Sequence, residues 1–231
     1  MTTVIVPGRF CGPPDSANGG ITAGLLATHL PFDAVEVTLR QPPPLDAPMD
    51  VRLTCEAADL VSDGAVIASA RAAVLAVEVP APVPYDAAVD AAAASPWLHD
   101  HPYPTCFVCG PAREPGDGLR IMPGPVGDTG LHAATWTPDT DHGDDDGLVR
   151  PELIWAALDC PTGFAAMADG AISILGRMTA GITRRPPVGA PLVVVSWLID
   201  IDGRKQHAAS ALYDPDGAVV GSARATWIEL R

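Results

Sequence analysis

Positive charge is scarce in this chain. Lysine occurs once, at Lys205, and 14 basic residues face 28 acidic ones, for a net charge of -14. Such a balance repels phosphate backbones, so no nucleic-acid partner is expected. No apolar run approaches the roughly 18 residues a membrane span needs, so none is expected. The start, Met1-Thr2-Thr3-Val4-Ile5-Val6-Pro7, has neither a basic stretch nor a long apolar one, and no signal peptide is expected. Five scattered cysteines (Cys11, Cys55, Cys106, Cys109 and Cys160) make an odd number and no disulfide framework, so a reducing cytoplasm is the expected setting. Apolar residues are plentiful. Hydrophobic residues make up 48% of 231, enough for one large core or two cores of about 100 residues each.

The chain repeats itself. Asp63-Gly64-Ala65-Val66-Ile67-Ala68-Ser69-Ala70-Arg71-Ala72 matches the block from Asp216 to Ala225 at eight of ten positions, 153 residues later. Upstream, Thr38-Leu39-Arg40-Gln41-Pro42-Pro43 resembles Ile182-Thr183-Arg184-Arg185-Pro186-Pro187, and Ala47-Pro48 matches Ala190-Pro191. Asp-Gly is a tight hairpin turn, and the apolar run after it reads as a strand. In the second copy, strands are expected over Leu192 to Ile201, Gln206 to Tyr213 and Ala218 to Leu230, joined by Asp202-Gly203 and Asp214-Pro215-Asp216-Gly217. That is an antiparallel meander.

One helix precedes the strands in each copy. The spacing predicts a helix from about Gly20 to His29, capped by Asp15, Ser16 or Asn18. A second runs from about Pro151 to Ala168, with a kink or restart at Pro161. A proline- and alanine-rich connection with room for a short helix lies between the copies. The acidic loop Thr137 to Gly147 reads as solvated, because its aspartates lack EF-hand spacing.

A helix followed by a meander, given twice, resembles the hot-dog fold, and the tandem resembles the double hot-dog acyl-CoA thioesterases. Ser16-Ala17-Asn18-Gly19-Gly20 is similar to that family's His-Gly-Gly helix opening, and Leu158-Asp159-Cys160-Pro161-Thr162-Gly163 to its Leu-Ala-Asp-x-Ala motif. Cys106-Phe107-Val108-Cys109-Gly110, followed by Gly118-Leu119-Arg120-Ile121, resembles the entry strand of phenylacetate-pathway thioesterases. The resemblance implies an α+β fold of two helix-wrapped antiparallel sheets pairing as a pseudo-dimer. Its expected parts are an N-terminal repeat at 1–80, a linker at 81–104 and a C-terminal repeat at 105–231.

The resemblance also implies chemistry. Helix-start amides polarise a thioester carbonyl, and a helix carboxylate from the other half activates water or attacks. In the family the opening His lies nine residues before the acid. Nine before Asp159 is Arg150, so the second half reads Arg150-Pro151-Glu152 and keeps the acid without the glycines. Nine after Asn18 is Ala27, so the first half keeps the glycines without the acid. One composite site is therefore expected, with Asp159 as base or nucleophile, Gly19 and Gly20 as oxyanion donors and Asn18 as positioning residue. A dead site is expected from Ala27 and Arg150 to Glu152. Thr162, Arg177, Thr179, Arg184 and Arg185 are the expected substrate contacts, the arginines for CoA phosphates.

There are departures. The family's further Thr or Ser and its Gln project near Gly176 and Ala225, which cannot orient water; Arg177, Thr179, Ser222 or Thr226 would have to substitute. The hydratase branch's Asp-x-x-x-x-His is missing, since residue 164 is Phe. His99, His101, Cys106 and Cys109 offer zinc-type ligands at an unusual spacing, but the resemblance accounts for the cysteines without metal, so neither a metal nor a cofactor is expected. Cys160 has no His nearby in sequence and reads as a small apolar filler. The function expected is hydrolysis of an acyl-CoA or acyl-carrier thioester, in a chain compatible with a homodimer of double hot-dogs. The alternative is an acyl-thioester binding or regulatory protein without turnover.

Overall fold

The computed structural model describes residues 2–167 and 172–230. The first half contains β1 (Thr2–Ile5), α1 (Gly19–Ala27), β2 (Val35–Leu39), β3 (Pro48–Leu53), β4 (Ala57–Ser62) and β5 (Ala65–Ala72). A connecting helix, α2 (Tyr85–Ala93), follows. The second half contains β6 (Gly124–Pro125), β7 (Leu131–Trp136), α3 (Pro151–Ala166), β8 (Ser173–Ile182), β9 (Leu192–Asp202), β10 (Lys205–Tyr213) and β11 (Val219–Glu229). No described helix is long and apolar enough to cross a membrane.

All strands join one antiparallel sheet in the order β1-β3-β4-β5-β2-β8-β11-β10-β9-β7-β6. Apart from β6, the order is symmetric about the β2–β8 pair. Outward from the middle, each half places the strand after its helix, then its last strand, then the two hairpin strands before it. The central pair is β2 with β8, in the register Val35↔Ala180 and Val37↔Met178. The repeated blocks are β5 and β11, one strand out on either side. This is an α+β double hot-dog fold with a pseudo-twofold seam between β2 and β8.

The turns follow from their residues. Asp63 and Gly64 both have positive φ (49° and 80°), the geometry a two-residue hairpin requires and glycine adopts without strain. Asn18 caps α1: its Oδ1 accepts the Ile21 amide at 3.0 Å. Proline opens α3, where its missing N–H costs nothing. The helix does not restart at Pro161; α3 runs through it to Ala166, and residue 168, the expected end of the helix, lies outside the described residues. Fourteen of its residues are buried, so tertiary packing outweighs the lost backbone bond.

The core fills the space between the two long helices and the sheet, with Met49, Leu60, Leu153, Ile154, Leu158 and Met178 fully buried. A smaller cluster covers the opposite face of the second half. There Ala88 and Ala91 of α2 meet Val193, Val195 and Tyr213, and the Tyr213 hydroxyl donates to the Pro80 carbonyl at 2.6 Å. The segment from Cys106 to Ile121 is not the entry strand expected of it. It forms a series of turns, and β7 with β6 extends the sheet instead. The reason is burial: Phe107 and Val108 are wholly buried, and Phe107 packs edge-on to Phe10 at 4.7 Å. Its amide donates to the Cys11 carbonyl at 2.8 Å.

Candidate active site

The start of α1 lies against the middle of α3, and glycine makes this possible. A Cβ on Gly20 would stand 2.6 Å from the Asp159 Cβ and 2.8 Å from the Ala156 Cα. One turn on, a Cβ on Gly24 would stand 2.6 Å from the Glu152 Cα. The two contacts are related by the pseudo-twofold, so the two helices touch at two equivalent places. Only one of them brings a glycine amide to a carboxylate. The Gly20 N–H donates to Asp159 Oδ2 at 2.8 Å. At the other, Glu152 is turned to an ion pair with Arg150 at 3.5 Å, and residue 27 is alanine.

Asp159 is 1% exposed, and its Oδ1 has no protein partner among the described residues. Burial pushes its carboxyl up to about 7, against the Gly20 amide, which favours the ionised form. The neighbouring Gly19 is half-buried, and its amide has no protein acceptor among the described residues. The two glycines therefore differ: Gly20 holds the acid, while Gly19 leaves a helix-start donor free.

The start of α1 and the middle of α3 open on a cavity of about 560 Å³. Its wall is mostly apolar, with Trp97, Phe164, Met167, Leu175 and Trp227, and its polar lining includes Asn18, Gly19, His101, Asp159 and Ser173. The wall also carries Cys106, Cys109 and Cys160, all buried. Hydrogen bonds from Cys109 and Cys160 hold the Cys106 thiol well below its ordinary range; burial keeps Cys109 above it.

The other expected contacts lie elsewhere. Thr162 is fully buried; its hydroxyl donates to the Asp159 carbonyl at 2.7 Å and accepts from Trp227 Nε1 at 2.7 Å. It braces α3 against β11 and does not line the cavity. Arg177 and Thr179 alternate with the inward Met178 and Ala180, so they face the other side of the sheet. There Arg177 donates to Thr38 Oγ1 at 3.1 Å, and both share a shallow pocket with Thr226. Arg184 pairs with Asp214. Arg185 ties down the acidic loop, reaching Asp144 at 2.6 Å, Asp146 at 2.9 Å and the Val149 and Leu148 carbonyls at 2.8 Å. Two of the loop's aspartates are thus paired with an arginine of the repeat. The zinc reading fails as first drawn, because His99 is exposed and His101 Nδ1 accepts the Tyr103 amide at 2.9 Å.

Sequence reasoning missed two features. Arg40 is the one Lys or Arg among the described residues lining the cavity; it is the first-copy equivalent of Arg184, and the repeat alignment would have found it. Ser173, at the start of β8, donates to Gln206 Oε1 at 2.7 Å, and both are buried. Gly176 lines the cavity three residues further on, and Ala225 is buried in β11. A serine near the start of the strand after the helix and a glutamine are thus present, displaced from the positions projected for them. The bulges in β10 and β11 shift register in ways the sequence does not announce.

No family model matches this chain, and no curated protein matches it. Solved structures do. The chain is similar to the tesB protein of Mycobacterium avium subs. paratuberculosis at a TM-score of 0.65 and 14% identity, covering 99% of this chain and 92% of that one. It is also similar to a hot-dog-fold protein from Alicyclobacillus acidocaldarius at a TM-score of 0.57 and 14% identity, again over 99% and 92%. At such identities the likeness is one of fold, and it extends over both halves of the chain.

Proposed function

We propose that this protein hydrolyses an acyl thioester, carried by CoA or an acyl-carrier protein, at one composite site between its halves. The observation that carries this reading is the 2.8 Å bond from the Gly20 amide of the first half to the Asp159 carboxylate of the second, at the wall of an apolar cavity. The double hot-dog fold shared with the similar solved structures agrees with it. The acyl chain occupies the apolar wall, and the thioester carbonyl oxygen accepts from the Gly19 amide, reinforced by the positive end of α1. The Gly20 bond fixes Asp159, leaving Oδ1 to take a proton from water. The water oxygen then bonds to the carbonyl carbon, the C–S bond breaks, and the departing thiolate takes up the proton. The products are a carboxylic acid and a thiol. Asn18 is a positioning residue: it caps α1 and so orients both glycine amides. Arg40 is the cation available to the phosphates of CoA.

Thiol release from a panel of acyl-CoA esters tests the proposal. Asp159→Asn, with the fold intact, is expected to lose turnover by at least a hundredfold. Equal turnover in the variant refutes the assignment. Tight acyl-CoA binding with no turnover on any chain length would leave the binding-protein alternative in its place.

A further inference from the structure

The hydrolysis proposed above leaves three cavity-wall thiols unused. Cys106 and Cys109 come from one turn, and Cys160 from α3. Their sulfurs all lie within 4.8 Å of one another, and those of Cys106 and Cys160 are 3.8 Å apart. A tetrahedral ion with metal–sulfur bonds of about 2.3 Å sets its sulfurs about 3.8 Å from each other.

The surroundings are built for anionic sulfur. The Asn18 side-chain amide points at two of them, 3.6 Å from Cys160 Sγ and 3.9 Å from Cys106 Sγ. A neutral thiol is a weak acceptor and gains little from such a donor, whereas a metal-bound thiolate keeps its charge and uses it. The turn itself is closed by the Gly110 amide donating to the Cys106 carbonyl at 2.8 Å. A Cβ at residue 110 would stand 2.5 Å from the carbonyl oxygens of both Cys106 and Pro104, so only glycine permits this approach of the two cysteines.

We propose that Cys106, Cys109 and Cys160 together bind one zinc-class divalent cation as three thiolates, with the fourth position open to the cavity. Three soft ligands and a tetrahedral spacing select zinc over the hard cations. His101 does not complete the set. Its Nδ1 accepts a backbone N–H, so in the neutral ring Nε2 carries the proton and has no lone pair to give. The Asp159 carboxylate also stands outside the 4.8 Å group. The ion would cross-link the 106–110 turn to α3, and its open position would be reached from the same cavity as Asp159. The inference does not depend on thioester hydrolysis.

The test is metal binding itself. Protein purified under reducing conditions is expected to carry, or to take up, about one equivalent of zinc by elemental mass spectrometry. Cobalt(II) in its place should give the visible bands of a tetrahedral site, with charge-transfer intensity for three thiolates. Cys109→Ser and Cys160→Ser should each weaken cobalt binding at least tenfold, while Cys55→Ser, at an exposed cysteine outside the cluster, should leave it unchanged. If the cluster variants do not fold, the wild-type cobalt spectrum alone decides. Folded, reduced wild-type protein without these bands overturns the proposal. So does a spectrum unchanged by Cys160→Ser, or a Cys106–Cys160 disulfide in the protein as isolated.

Discussion

Gly19 and Gly20 are adjacent and both belong to the expected donor pair, yet a methyl group should affect them very differently. At Gly20 the added carbon meets the Asp159 Cβ at 2.6 Å and the Ala156 Cα at 2.8 Å. Both are held by α3 and cannot swing aside, so the helices must part by the better part of an ångström. Overpacking of this kind costs ~1–3 kcal/mol. Parting the helices also breaks the Gly20 bond to a buried carboxyl, at ~1.5–3 kcal/mol. The helix propensity gained by alanine returns only ~0.5–1 kcal/mol. The net expectation for Gly20→Ala is a loss of roughly 2–5 kcal/mol, or roughly 4–20 °C in Tm for a chain of this size. At Gly19 the new carbon meets the Leu175 Cδ2 at 2.8 Å and the Leu39 Cδ1 at 3.1 Å. These are ends of flexible side chains, and Gly19→Ala is expected to stay within about 1 kcal/mol of wild type. Calorimetric melts of both variants, with thiol release measured alongside, make the comparison. Equal stability of the two variants, or full turnover in Gly20→Ala, would refute the packing of Gly20 against Asp159.

Thr162→Val should cost about 1–3 kcal/mol in urea melts, because it strands the buried Trp227 Nε1 that now donates to Thr162 at 2.7 Å; the KM of any surviving turnover should not move, as expected of a brace. Arg40→Ala should raise KM for acyl-CoA roughly two- to fivefold, with no change for an acyl-pantetheine ester that lacks the nucleotide phosphates. His142 is buried, with its Nδ1 accepting the Asp139 amide at 3.0 Å. Burial lowers its pKa against the pull of Asp141 and Asp139, with Arg150 and Arg9 adding to the lowering. The unfolded chain therefore takes up the proton first, so this contribution to stability is complete above about pH 6.5 and is lost as pH falls below it. Urea midpoints between pH 7 and pH 5 should fall less steeply in His142→Gln than in wild type; parallel slopes would show that His142 does not titrate with unfolding.

The repeat was legible because it is written in turn chemistry and alternation. Asp63-Gly64 and Asp216-Gly217 mark hairpins wherever they occur, and the runs after them became β5 and β11. The start of α1 was legible to within three candidate caps, Asp15, Ser16 and Asn18, because capping is local; the fold makes Asn18 the cap. The meeting of Gly20 with Asp159 was legible too, because each half lacks what the other supplies. What the sequence could not carry was any contact made across the sheet or between distant loops. Side-chain direction on β8 decides that Arg177 faces away from the cavity, and one residue of register reverses it. Arg185 was free in sequence to meet a phosphate, but folding brings it to Asp144 and Asp146, some forty residues away in the chain. Pro161 signals a break locally, and α3 passes through it because burial of nearly the whole helix outweighs one backbone bond. The three thiols meet only because the turn after Tyr103 folds over the start of α1 onto α3. Local chemistry determined the two repeated helices and the meander of the second half, though not β6 and β7; long-range packing, which no spacing encodes, decided those and which side chains share the cavity.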